Sequence, residues 1–451
     1  MKIKRARAGF YRNLFTLVLP IVIQNLIASA VSMADVVMLG RVDQTSLAAS
    51  SLAGQVQFLL YVVYFGVASA VTILATQYWG KGDSVTVSNI FALGLIISAA
   101  FSTLAAVLAL AVPDFVIGIW TNVPELKAAG AAYLRYVALS YFFAGIIEPY
   151  LAIIKSCERV KLATLLSVAT LLMNIILNAV LIFGLFSLPA MGIRGAALAT
   201  TLSRGAELMA CAVDFTRQRI MPVSLKVIFD IPAKLIRDFA RYSLPAFIND
   251  AMWGLAFNMN SVIMGHLGSD IVAANSVVTV ARDLVTTVGI GIAAGSSILL
   301  GKEIGEGRLE RAKEDADSVL WLSFKISLLQ GAVLFIISPF IPGFVRISQT
   351  AAWYLRVMLY ISVIYQVGQI INTVLIASLF RCGGDSRYGM ILDIISMWGV
   401  SVPLGLISAF VLKLPPLWVY VLMCTDEFVK MPFAIRHFKK GGWIKNITRD
   451  M

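Results

Sequence analysis

The sequence predicts an all-α membrane protein with twelve transmembrane helices in two parallel six-helix lobes around a central cavity. Three observations predict it. The chain is strongly apolar, it holds twelve apolar runs of membrane-spanning length, and its second half repeats its first. Of 451 residues, 59 % are hydrophobic and only 14 % charged, with a mean hydropathy of +0.85. A soluble domain carries about 25 % charged residues.

The runs are 12–39, 53–77, 88–112, 130–155, 162–186, 192–213, 238–265, 275–301, 316–340, 354–379, 388–412 and 416–438. Each is near the roughly 20 residues that cross the hydrocarbon core. Helices follow, because backbone facing lipid must satisfy its own hydrogen bonds. The runs are also too long and too evenly apolar for barrel strands.

A net charge of +12 does not point to nucleic acid, because the basic residues sit mainly in short loops between runs. Arg217, Arg219, Lys226, Lys234, Arg237 and Arg241 crowd the central connection. Only Arg41, Lys127, Arg194, Arg346 and Lys413 mark the opposite loops. Both termini are therefore expected in the cytoplasm, with the chain in the plasma or inner cell membrane. The basic start (Lys2, Lys4, Arg5, Arg7) and "ASA" at Ala28–Ala30 imitate a signal peptide. A second copy of this segment argues for a retained helix. Cys157, Cys211, Cys382 and Cys424 lack CxxC spacing, and His266 and His437 are too few for a histidine metal site.

The repeat is direct. "LPIVIQN" (Leu19–Asn25) matches "LPAFIND" (Leu244–Asp250), and "GRVDQTSLAASS" (Gly40–Ser51) matches "GHLGSDIVAANS" (Gly265–Ser276) without a gap. "QYWGKGD" (Gln77–Asp83) matches "KEIGEGR" (Lys302–Arg308) at the same offset. Six runs separate the copies, so both halves share one orientation, a transporter architecture with its site between the halves. The expected division is 1–213, a cytoplasmic linker 214–237 with Pro222 and Pro232, and 238–451 with a basic tail.

These segments, with "ADVVMLGRV" (Ala34–Val42) and "FRCGGDSR" (Phe380–Arg387), resemble the multidrug and toxic compound extrusion (MATE) family over nearly the whole chain. The resemblance implies two six-helix lobes forming a V-shaped cavity. It also implies export of small organic, often cationic, compounds by antiport against Na⁺ or H⁺, with no other cofactor and no metal beyond Na⁺. Partners are then the substrates and the bilayer; the protein is expected to act as a monomer.

Acidic and amide groups inside apolar runs are the candidate cation or proton sites. An Asp at mid-helix costs about 2.5–3.5 kcal/mol on insertion scales, so such residues usually face a cavity and act there. Asp35 lies near the end of the first run, where it is either an interfacial carboxylate or a cation site; the resemblance favours the latter. Asn174 and Asn178, spaced i, i+4, stack their amides on one face of the fifth run. They can ligate a hard cation or simply join helices. Some members of the resembled family have an Asn and an Asp at these two positions; here the second is Asn178, which removes one negative charge. Asp250 falls mid-run and repeats at Asn25, while Asp35 repeats at Asn260. Asp393 is equally costly, and a pairing with Asp250 would suit a proton carrier.

A substrate cavity is expected to draw on Asn25, Met33, Tyr61, Tyr64, Glu148, Trp253, Met259, Asn260 and Asp283. Aromatic and Met side chains there suit bulky cations, though the same residues also build ordinary cores. Glu207 with Arg204, and Asp426 with Lys430, read as intrahelical ion pairs. The nearest alternative function is a flippase for lipid-linked sugars, which would favour a more cationic interior. A membrane enzyme is disfavoured by the absence of DDxxD, HExxH or GxSxG; a channel remains the remoter option.

Overall fold

The computed structural model describes residues 2–218, 231–345 and 347–449. Residues 219–230 of the linker, with Arg219, Pro222 and Lys226, lie outside the described residues, as does Arg346.

One helix, or a closely joined pair, occupies each expected run. The first six are Lys2–Gly40, Gln44–Lys81, Ser84–Ala111, Pro124–Ser156, Val160–Phe183 and Ile193–Arg217, with a short helix Pro113–Gly118 before the fourth. The next four are Ala233–Gly265, Ser269–Gly305, Leu309–Ile337 and Gln349–Thr373, the last running into a wide π turn, Val374–Phe380. The eleventh spans Ser386–Val411, and the twelfth is the pair Pro416–Met423 and Asp426–Lys440. Among the described residues nine are long and apolar enough to cross a membrane by composition alone. The sixth, seventh and twelfth are not among them. Their deficit has a cause: they carry Arg204, Glu207, Asp250, Glu427 and Lys430, which form polar interiors described below.

Local chemistry starts and stops the helices. The Asp43 carboxylate caps the second helix by accepting from Ser46 N at 2.6 Å, and Asp83 caps the third by accepting from Thr86 N at 2.9 Å. Gly82 and Gly307, equivalent in the repeat, both take left-handed φ, 82° and 78°. Only glycine adopts that conformation at little cost, so each ends its helix sharply.

The chain divides into two compact units, Ile23–Ser243 and Met1–Val22 with Leu244–Asp450. These bounds differ from the division 1–213 and 238–451. The first helix is cut beside Pro20 and the seventh beside Pro245, so each unit contains the opening segment of the other half. Close packing ties one such segment down. A Cβ at Gly291 or Gly295 would lie 2.3 Å from the Val22 or 2.6 Å from the Val18 side chain. In the first unit the fourth helix is central, packed by the second, third and sixth; in the other, the tenth packs on the eighth and ninth. An 18-residue stretch of each central helix is 72 % buried.

Candidate functional site

In the Ile23–Ser243 unit, Asp35 of the first helix is half-buried, and the hydrogen bond it takes among the described residues comes from an amide. Asn178 of the fifth helix donates Nδ2 to Asp35 Oδ1 at 2.6 Å and to Asn174 Oδ1 at 3.2 Å. Asn174 donates in turn to Thr200 Oγ1 of the sixth helix at 3.4 Å. The i, i+4 spacing of the two asparagines thus builds a polar ladder across three helices. Asn178 Oδ1 is buried without a hydrogen-bond partner among the described residues. Asp35 takes part in no ion pair among them either. The carboxylate, Asn174 Oδ1 and Asn178 Oδ1 are hard oxygen donors of the type a proton or Na⁺ uses.

The acids of the other unit are placed differently. Arg381 donates to both oxygens of Asp250, at 2.7 and 3.2 Å, a bidentate contact. Asp393 accepts from Lys430 Nζ at 2.9 Å and from Asn249 at 3.1 Å. Lys430 also meets Glu427 at 3.0 Å, and Asn372 donates to Glu427 Oε2 at 2.8 Å. The suggested Asp250–Asp393 pairing is thus replaced by two acid–base contacts. The expected Asp426–Lys430 pair is corrected too: the lysine turns to Glu427, three residues away, and across to Asp393, which satisfy its charge from two sides.

Sequence reasoning missed this arrangement, although a signal existed. Arg204–Glu207 in the sixth helix is an ion pair at 2.9 Å that also reaches Glu148 at 3.5 Å. Glu427–Lys430 occupies the matching place in the twelfth helix at an offset of 223 residues, with the signs exchanged. The helix ends show the same inversion. Arg159 holds Asp214 at 2.7 Å, and Tyr150 donates to Asp214 as well, whereas Asp385 meets His437 at 2.9 Å. Burial raises the Asp214 pKa, yet hydrogen bonds from Arg159 and Tyr150 outweigh it and hold the carboxyl below its ordinary value.

Other candidates scatter. Tyr64 lies in the apolar core and donates to the Tyr141 carbonyl at 3.0 Å; it packs rather than lines a cavity. Met259 likewise packs against core. Met33 and Tyr61 are about 60 % exposed and Asp283 is exposed, while Asn25 is half-buried, its carbonyl accepting from Ser29. Trp253 and Asn260 line a cavity together with Arg282 and Asp426. Beyond the apolar runs, Glu303 and Asp315 form a buried carboxyl pair beside Arg311, 3.5 Å from Glu303. Burial first, then the Asp315 charge, pushes Glu303 up to about 7.

The family model MatE matches residues 20–180 and 245–407. An uncharacterized transporter, YisQ of Bacillus subtilis, is 24 % identical over 437 residues, covering 96 % of this chain and 95 % of that protein. Multidrug resistance protein PmpM of Pseudomonas aeruginosa is 22 % identical over 396 residues, 87 % of this chain and 83 % of the other. Among solved structures, the bent form of the Vibrio cholerae MATE transporter VcmN superposes with a TM-score of 0.86 at 15 % identity, covering 96 % and 97 % of the two chains. An outward-facing multidrug resistance MATE transporter gives 0.84 at 18 % identity, covering 95 % and 96 %.

Proposed function

This chain belongs to the MatE family of multidrug efflux transporters, and on that premise we propose that it is a secondary antiporter whose coupling cation, H⁺ or Na⁺, is taken by Asp35. The observation that carries the reading is the contrast in counter-charge. Every other buried acid named above has an Arg or Lys within 4 Å or a second carboxyl to share a proton, except Asp426. Asp35 has the Asn178 amide and no basic partner among the described residues. An ionised carboxylate withdrawn from water without a partner is costly, so it favours a state in which a cation neutralises it. Occupancy then changes the relative stability of outward- and inward-facing forms, and substrate release is linked to cation entry. Asn178 and Asn174 orient the carboxylate and supply further oxygens. Asp250 and Asp393, already neutralised by Arg381 and Lys430, hold their unit together instead of carrying the ion.

The substrates are organic compounds, often cationic, exported across the cell membrane by a chain with both termini in the cytoplasm. The relatives described as multidrug resistance proteins support this reading. Its test is export of a fluorescent cation from proteoliposomes under a pH gradient or a Na⁺ gradient, applied separately. Asp35→Asn is expected to lower gradient-driven export at least about tenfold, while Asp250→Asn retains most of it. Undiminished export by the Asp35 variant excludes the reading, and the gradient that drives wild type identifies the ion.

A further inference from the structure

The unit formed by Met1–Val22 and Leu244–Asp450 contains a cavity whose charges the reading above leaves unused. Arg282 of the eighth helix and Asp426 of the twelfth both line it. The other buried acids and bases of this unit close on one another: Asp250 with Arg381, and Asp393 and Glu427 with Lys430. Arg282 and Asp426 enter no such pair among the described residues. The guanidinium of Arg282 lies over the Tyr365 ring, 4.2 Å from its centroid. Its Nε has no hydrogen-bond partner among the described residues. Asp426 is only 3 % exposed, and its Oδ1 is also without a hydrogen-bond partner among the described residues. A third unpartnered buried atom, Asn260 Oδ1, belongs to the same lining. Trp253, stacked on Phe257 with centroids 5.4 Å apart, contributes an aromatic wall.

Buried polar groups normally find partners, and orphaned ones in a cavity mark where a ligand's groups are to sit. Here one positive and one negative group line one cavity with no ion pair between them among the described residues, and with aromatic surface beside them. We propose that this cavity binds a small zwitterion with an apolar or aromatic body, its acidic group on Arg282 and its ammonium on Asp426. Such a ligand neutralises both ends at once, where a simple cation leaves the guanidinium uncompensated and a simple anion leaves the carboxylate so. A carboxylate accepts from the planar guanidinium, and an ammonium donates to Asp426 Oδ1 and Asn260 Oδ1. That the bound zwitterion is a substrate rests on the efflux reading; that it binds does not.

The test uses the purified full chain in detergent and three matched probes: 4-(aminomethyl)benzoate, its methyl ester and its N-acetyl derivative. These are a zwitterion, a cation and an anion on one ring. Binding is followed by calorimetry and by tryptophan fluorescence, with Trp253→Phe removing the optical response if the cavity is the site. Wild type is expected to bind the zwitterion at least about tenfold more tightly than either derivative, the worth of one charge-assisted hydrogen bond. Arg282→Gln should erase the preference over the ester, and Asp426→Asn the preference over the N-acetyl compound. Absence of binding by wild type, equal affinity for all three, or a preference that survives both substitutions overturns the proposal. If either variant fails to fold, the wild-type preference together with the Trp253→Phe response decides it. Gradient-driven export of a fluorescent cation reports on Asp35 separately, so the two readings fail independently.

Discussion

The two lobes descend from one repeat and both hold buried ion pairs, yet they treat their candidate acids differently. In the first, Asp35 is hydrogen-bonded to Asn178 at 2.6 Å and has no basic partner among the described residues. In the second, Asp250 and Asp393 close on Arg381 and Lys430 at 2.7 and 2.9 Å. Similar cost, different resolution. A carboxylate with a fixed counter-ion has little to gain from a visiting cation, whereas one held by amides gains its full neutralisation. On the proposed reading, the first lobe offers Asp35 as an exchangeable site, while Asp250 and Asp393 of the second are held by fixed counter-charges.

The comparison can be broken most forcefully at Lys430. Lys430→Ala leaves Asp393 and Glu427 buried without their shared cation, and loss of one partner of a buried pair costs about 3–5 kcal/mol. Thermal unfolding in detergent should show a drop larger than that of Asp35→Asn. An equal or smaller drop contradicts the strut assignment. Arg381→Ala is expected to come next, and adding Asp250→Asn should restore most of the lost stability, because the orphaned charge is gone. If the double variant is as unstable as the single one, the cost lies in packing and not in charge.

A smaller effect concerns pH. Glu303 is raised from its ordinary 4.5 to about 7, so the folded state holds its proton more tightly than the unfolded chain. That contribution is complete below the unfolded value and is lost as pH rises through the folded one. Stability should therefore fall between about pH 5 and about pH 8, and Glu303→Gln should flatten that slope. A slope untouched by the substitution removes Glu303, beside Asp315, as its source. The smallest effect is expected for Arg135, which meets Asp114 at 3.6 Å with the two side chains 58 % and 59 % exposed. Exposed pairs contribute about 0–1 kcal/mol. A measured change for Arg135→Ala as large as that for Lys430→Ala would undo the contrast between surface and interior pairs.

Much of the architecture was legible locally. Membrane length imposes runs of about 20 apolar residues, and the repeat at Leu19–Asn25 and Leu244–Asp250 is visible without coordinates. Asp35, Asp250 and Asp393 were visible as well, since a charge inside an oily run stands out by itself, whereas Glu427 was passed over beside Asp426. Their partners were not. Asp250 and Arg381 are 131 residues apart, and Asp35 and Asn178 are 143. The i, i+4 rule paired Asp426 with Lys430 because it sees one helix, while Lys430 also faces Asp393 on another. Tyr64 illustrates the same limit: an aromatic suited to a cavity lies in the core, because the neighbouring fourth helix offers its Tyr141 carbonyl.

By itself, then, the amino-acid sequence determined the twelve helices, the duplication and the identity of the residues too polar for their surroundings. These follow from hydropathy and spacing along the chain, which are properties of neighbouring residues. Tertiary structure alone decided which of those polar groups meet a counter-charge within the protein and which do not. That outcome depends on distances of a few ångströms between helices remote in sequence, where burial makes each missing or present counter-charge worth several kcal/mol.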